Sequence, residues 1–157
     1  MNKQTNKKSR GFTLIEILVV IGIIAVLASV VIVAVNPSHQ FKLARDSQRV
    51  SNVNAILNTI GQNISEHKGL FTCGSTTTAL PSVPTIVRSA TSTSGFDLAA
   101  CVVPAYISSL PFDPTVSGGH YTSASDYDTG YVIYQDAAGR VTANSTGELT
   151  ASISVTR

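Results

Sequence analysis

The sequence predicts an α+β chain: a long N-terminal helix, membrane-spanning in its first half and amphipathic in its second, packed on a small antiparallel C-terminal sheet. Three patterns predict it. Residues Phe12 to Val35 form an apolar run whose single charge is Glu16. Beyond Asn36-Pro37, apolar residues recur at intervals of three, four and seven as far as Ile64, the spacing of one helix face. Toward the C-terminus, short alternating stretches are separated by Gly, Pro and Asp, as in strands joined by hairpins.

Residues 1–11 read as a leader. Lys3, Lys7, Lys8 and Arg10 occur there with no acidic residue, and the segment ends at Gly11. A secretory signal places its cleavage site after the apolar region. Here the small-residue junction Gly11-Phe12 precedes it, so cutting there leaves the apolar segment on the mature protein.

Residues 12–35 follow as an assembly or transmembrane helix. At 1.5 Å per residue the run spans about 36 Å, enough to cross a hydrocarbon core. Positive charge on the leader side places the N-terminus in the cytoplasm and the remainder outside it. Gly22, Ala25, Ala28, Ser29 and Ala34 interrupt the aliphatic wall and allow close approach between helices.

Glu16 is the anomaly in this run. A lone acid in a bilayer costs about 3 kcal/mol on insertion scales, and intramembrane ionisable residues mark function by default. Cleavage after Gly11 creates an ammonium four residues before it, one helical turn away. In its own helix, Glu16 sits in the first turn, where the dipole favours an acid by roughly 0.3–1 kcal/mol. A buried pair between two copies is stronger, since removing one partner of such a pair costs about 3–5 kcal/mol. On this expectation, Glu16 gains its partner only after processing.

The segment Gly11-Phe12-Thr13-Leu14-Ile15-Glu16, continued by Ile17-Leu18-Val19-Val20-Ile21-Gly22, resembles the N-terminus of bacterial type IV prepilins and type II secretion pseudopilins. The resemblance covers roughly the first third of the chain. It implies that a membrane prepilin peptidase cuts after Gly11 and methylates the new amine of Phe12, and that Glu16 pairs with a Phe12 ammonium during assembly. It further implies a pilin-like fold, a homo-oligomeric helical filament, an assembly ATPase with its inner-membrane platform, and contact with membrane lipid before assembly. A single-pass precursor in the inner membrane then becomes a cell-surface or periplasmic filament.

Asn36-Pro37 ends the apolar run, because proline lacks an amide donor and disfavours helical geometry in the residue before it. Residues 36–68 resume as an amphipathic helix whose stripe is Leu43, Val50, Val53, Leu57, Ile60 and Ile64, with Arg45, Asp46, Gln48, Arg49 and Asn52 between them. Gly69 is the expected helix stop.

Residues 69–157 form the globular head. About 120 residues lie beyond the apolar run, enough for one modest domain. Residues 72–95 read as a Ser/Thr-rich connector with one short strand at Thr85 to Arg88. Cys73 and Cys101 are the two cysteines, and both fall in the part assigned to an oxidising compartment. A disulfide between them is the leading reading, with free thiols or metal ligation as alternatives. Closing a loop of about 29 residues is worth roughly 3.5 kcal/mol in the chain-entropy model.

Leu110-Pro111-Phe112-Asp113-Pro114 resembles the proline-flanked turn before the sheet of many major pseudopilins and short pilins. Tyr131 to Tyr134, Arg140 to Ala143 after a turn at Gly139, and Ala151 to Val155 are the expected strands, three or so in all. Asp126 and Asp128, with Asp113 upstream, flank a Ser/Gly-rich loop and are the calcium candidates, although calcium wants six to eight oxygens.

Charge and motif content exclude several functions. The full chain has eleven Lys and Arg against nine Asp and Glu, for a net +2. Four of those cations lie in the leader, so the side chains from Phe12 onward sum to −2. Lys68, Arg88, Arg140 and Arg157, the cations beyond the helix, are unclustered, which argues against nucleic-acid binding. His39, His67 and His120 are scattered, and no phosphate-cradling loop or nucleophile motif stands out, so neither an enzyme nor a cofactor other than the calcium candidate is expected. Asn63 and Asn144 begin Asn-x-Ser/Thr triplets, a weak glycosylation signal. The expected role is a pilus subunit, with a secretion pseudopilin or a minor tip subunit holding DNA or a surface as the alternatives.

Overall fold

A computed structural model describes residues 11–91 and 94–157, so Lys3, Lys7, Lys8 and Arg10 of the leader lie outside the described residues. The chain divides into two compact units, the first ending at Gln40 and the second running from Phe41 to Arg157.

The first unit holds helix α1, Leu14–Val35, with no buried residue and long and apolar enough to cross a membrane. An unbroken aliphatic run without proline satisfies its backbone internally as a helix, as an apolar solvent demands. Asn36 ends it in the left-handed region, at φ 45°. Pro37 then opens α2, Pro37–Glu66, where the missing N–H costs nothing because a first-turn amide has no intrahelical partner. Asn36 serves both helices. It caps the end of α1, while its carbonyl accepts from the amides of His39 and Gln40 at 3.0 and 3.3 Å.

In the second unit, α2 buries Asp46, Arg49, Val53, Ile56, Ile60 and Asn63, alternately three and four residues apart, with Leu57 and Thr59 beside them. This differs from the stripe expected from hydropathy. Leu43 and Val50 are exposed, Ile56 is fully buried, and the first turn of the buried face is ionic. The helix stops as Lys68 and Gly69 turn left-handed, and the Gly69 amide donates to the Ile64 carbonyl at 2.9 Å. Gly69 meets that conformation without the Cβ penalty.

Beyond α2 lie a small hairpin, β1 (Thr72–Cys73) with β2 (Thr76–Thr77), then β3 (Thr85–Arg88) and the short α3 (Ala99–Val102). The strands β4 (His120–Ser123), β5 (Asp126–Gln135), β6 (Val141–Ser145) and β7 (Ile153–Thr156) follow. The main sheet is antiparallel with order β3-β5-β6-β7, and β4 also pairs with the start of β5. The connector thus contains the expected β3 but also the unexpected β1–β2 hairpin, and the region read as a Ser/Gly-rich loop contains β4. Five strands, not three or so, make the sheet.

The core follows from two periodicities meeting. On β5, Tyr127, Thr129, Tyr131 and Ile133 alternate inward, and the two tyrosines and Ile133 share one apolar cluster with Val53, Ile56, Leu57 and Ile60 of α2. Leu98, the N-cap of α3, and Val102 at its end also belong to the cluster. Tyr127 reaches α3 through its hydroxyl, which accepts from the Ala99 amide at 3.1 Å and donates to Asp97 Oδ1 at 2.8 Å.

Two staples fix the connector. Cys73 and Cys101 are joined as a disulfide linking β1 to α3. Asn63, 1% exposed, donates its side-chain amide to the Thr72 carbonyl at 2.9 Å and accepts from the Thr72 amide at 2.8 Å. Its triplet is therefore closed to glycosylation in the folded chain, because the only acceptor nitrogen is buried and engaged.

Ile56→Ala should lower the unfolding free energy by about 2–5 kcal/mol. Asn63→Leu should cost about 1–3 kcal/mol for each Thr72 backbone group left unpaired. Urea unfolding of the detergent-solubilised chain measures both.

Candidate functional site

The junction singled out by sequence lies just before α1. Gly11, Phe12 and Thr13 are non-helical and exposed, Phe12 to 83%. The Gly11–Phe12 peptide bond therefore stands free of helical hydrogen bonding. Among the described residues, a Cβ at Gly11 would meet nothing within 4 Å.

Thr13 is the N-cap of α1, in extended geometry at φ −85° and ψ 151°. Its hydroxyl oxygen accepts from the Glu16 amide at 3.3 Å, and Glu16 Oε2 accepts from the Thr13 amide and hydroxyl, both at 2.8 Å. This is a reciprocal capping box, which satisfies two donors that a helix start otherwise leaves unpaired. The expectation that Glu16 has no partner before processing changes accordingly: its own chain already supplies two donors. The rest of α1 carries no further charge, and the Ser29 hydroxyl donates to the Val26 carbonyl at 2.7 Å.

The second unit contains a site that sequence reasoning missed. Arg49 is the largest of its fully buried side chains, 1% exposed. Its Nε and Nη2 donate to Asp113 at 2.7 and 3.0 Å, and its Nη1 donates to Asp46 at 2.7 Å. Nη2 also donates to the Thr115 hydroxyl and lies 3.5 Å from Glu148 Oε1. Asp46 in turn accepts from the amides of Glu148, Leu149 and Thr150 at 2.8, 2.9 and 3.2 Å. Arg45 closes the outer side, with two bonds to Glu148 at 2.7 and 2.6 Å.

The tight β6–β7 loop makes this possible. A Cβ at Gly147 would run into the Thr150 carbonyl and Asp46 Oδ2, so only glycine lets the loop close on the carboxylate.

The electrostatics follow from these contacts. Burial pushes the Asp113 carboxyl up, but the Arg49 guanidinium and the Thr115 amide and hydroxyl outweigh it, leaving it down at about 2. Asp46 is held below the usual carboxylate range, first by the amides of Glu148 and Leu149. Hydrogen bonding to Asp113 holds Arg49 above its ordinary value against the effect of burial.

The calcium candidates do not converge. Asp113 is committed to Arg49, with the Ser145 hydroxyl donating to its Oδ2 at 3.1 Å. Asp126 and Asp128 lie on β5 rather than in a loop: Asp126 Oδ1 is 3.1 Å from His120 Nε2, and Asp128 accepts from the Gly130 amide at 3.0 Å. Among the described residues, no group of three His, Cys, Asp or Glu is placed to hold a metal ion. The histidines are also apart in their roles, with His67 bonded to the Asn63 carbonyl and His120 to the Gly118 carbonyl.

Residues 6–32 match the family model of the prokaryotic N-terminal methylation motif. No characterised protein and no solved structure gives a significant match to the chain.

Arg49→Met should destabilise the head by about 3–5 kcal/mol, because it leaves buried carboxylates without their cation. The pH dependence has a definite sign. The folded value of Asp113 lies below its ordinary 3.8, so its contribution is complete above about pH 4 and is lost as pH falls toward 2. Melting temperatures measured across that window should fall with acid in the wild type and fall less in Asp113→Asn.

Proposed function

We propose that this chain, whose residues 6–32 carry a prepilin-type cleavage and methylation segment, is a structural subunit of a type IV pilus-like filament. The matched motif carries the reading, and the exposed apolar α1 fits a precursor anchored in the inner membrane. In this reading, residues 1–11 are removed by a prepilin peptidase, and Phe12 becomes the methylated N-terminus. Residues 12–35 then pass from lipid into the filament core, with 36–68 and the head of 69–157 following.

The chemistry rests on charge. Leaving the bilayer for a water-free helical core keeps Glu16 in apolar surroundings, and the Phe12 ammonium of a neighbouring copy supplies the counter-charge there. Such a pair sets axial register, because a shifted neighbour leaves both charges buried alone. Energy for extraction comes from an assembly ATPase acting through a membrane platform. The role is structural, and no catalytic step is assigned to the chain.

A secretion pseudopilin is the second reading. It shares processing and pairing, and the Pro111 to Pro114 segment, which resembles that of major pseudopilins, favours it. Imaging distinguishes the two: long surface fibres indicate a pilus, and short periplasmic fibres a secretion system.

Intact mass of the mature protein should show loss of residues 1–11 and one added methyl group on Phe12. Glu16→Ala should be cleaved normally but enter filaments about a hundredfold less, as expected from losing one partner of a buried pair. Normal assembly of that variant would remove the pairing mechanism.

A further inference from the structure

Glu16 has two carboxylate oxygens, and among the described residues the donors to it both reach Oε2. The amide and the hydroxyl of Thr13 each donate to it at 2.8 Å. A carboxylate offers about four acceptor positions, so Oε1 remains able to take a further donor. Both donors belong to a residue downstream of the Gly11–Phe12 bond. Cleavage at that bond removes neither donor.

We propose that Thr13 is the positioning residue for Glu16 during assembly: it holds Oε2 within its own chain and leaves Oε1 for the ammonium of a neighbouring copy. This rests on the reading of Glu16 as the assembly acid. The cap and the intermolecular pair then coexist rather than compete.

Two physical arguments support it. A glutamate free to rotate loses its side-chain freedom at the moment of docking, whereas one already tied loses less, which favours association. A carboxylate in an apolar helix also needs donors while no neighbour is present, since membrane interiors offer no water to supply them. Thr13 answers both needs with one residue, in a geometry fixed by the extended backbone just before α1.

The test uses the full chain and three substitutions, scored on molecules that intact mass shows to be cleaved and methylated. Thr13→Ser retains the hydroxyl donor and should assemble within about twofold of wild type, whereas Thr13→Val removes it and should assemble about tenfold less, the scale of one charge-assisted hydrogen bond. Thr13→Asp keeps an N-cap acceptor for the Glu16 amide but has no hydroxyl to donate, and it should fall with Val. Wild-type assembly of Val, or Asp performing as well as Ser, overturns the proposal, because helix capping alone would then be enough.

A second measurement is independent of filaments. The chain has three glutamates, Glu16, Glu66 and Glu148, so carbon-13 glutamate labelling of the full chain in lipid vesicles gives three side-chain carboxyl signals. Thr13→Val should move the Glu16 signal, and Thr13→Ser should leave it in place. An unmoved signal in Val overturns the hold itself. A wild type that is neither cleaved nor polymerised instead sinks the filament reading, while the carboxyl signals still decide whether Thr13 holds Glu16.

Discussion

A guanidinium removed from water must find counter-charges and acceptors within the fold, and Arg49 finds them on three separate stretches of chain. Asp46 is on its own helix, Asp113 is in the proline-flanked loop before β4, and Glu148 is in the loop between β6 and β7. The C-terminal unit depends on their meeting. Until the last loop arrives, Asp46 lacks three amide donors, and Arg49 lacks part of its neutralisation. Polar groups buried without partners are expensive, so the network favours one arrangement of α2, the loop and the final strand over looser alternatives. The apolar core of Ile56, Tyr131 and Ile133 supplies burial. The ionic turn supplies register.

The N-terminal unit meets the same physical problem on a smaller scale. Glu16 is one charge in an aliphatic helix, and its partners come from three residues away rather than from distant loops. A short-range solution travels with the helix, because donor and acceptor lie within one turn of it. Arg49 and Glu16 thus show two ways of giving a charge its partners: a long-range network that fixes a fold, and a local cap within one helical turn.

The hydropathy pattern located both helices, the break at Asn36-Pro37, the stop near Gly69 and the strands at Thr85 to Arg88 and Tyr131 to Tyr134. Local chemistry decides those features, so they are legible residue by residue. The α2 stripe was misplaced where it became ionic, because a charged residue reads as solvated unless its counter-charges are known. Two of the three counter-charges of Arg49 lie 64 and 99 residues away, and no periodicity in α2 reports them. The β1–β2 hairpin and β4 were missed for a related reason. Their short Ser/Thr-rich sequences carry little alternation, and pairing with a neighbour makes them strands.

Sequence alone therefore determined the apolar helix and its lone acid, since each is a contiguous pattern that local physics interprets. The tertiary structure decided which charges are buried, that Asp113 belongs to Arg49 rather than to Asp126 and Asp128, and that Asn63 staples β1. Those outcomes depend on groups far apart in the chain becoming neighbours. Burial of a charge or an amide is favourable only when its partner is there, and the fold alone brings the partner.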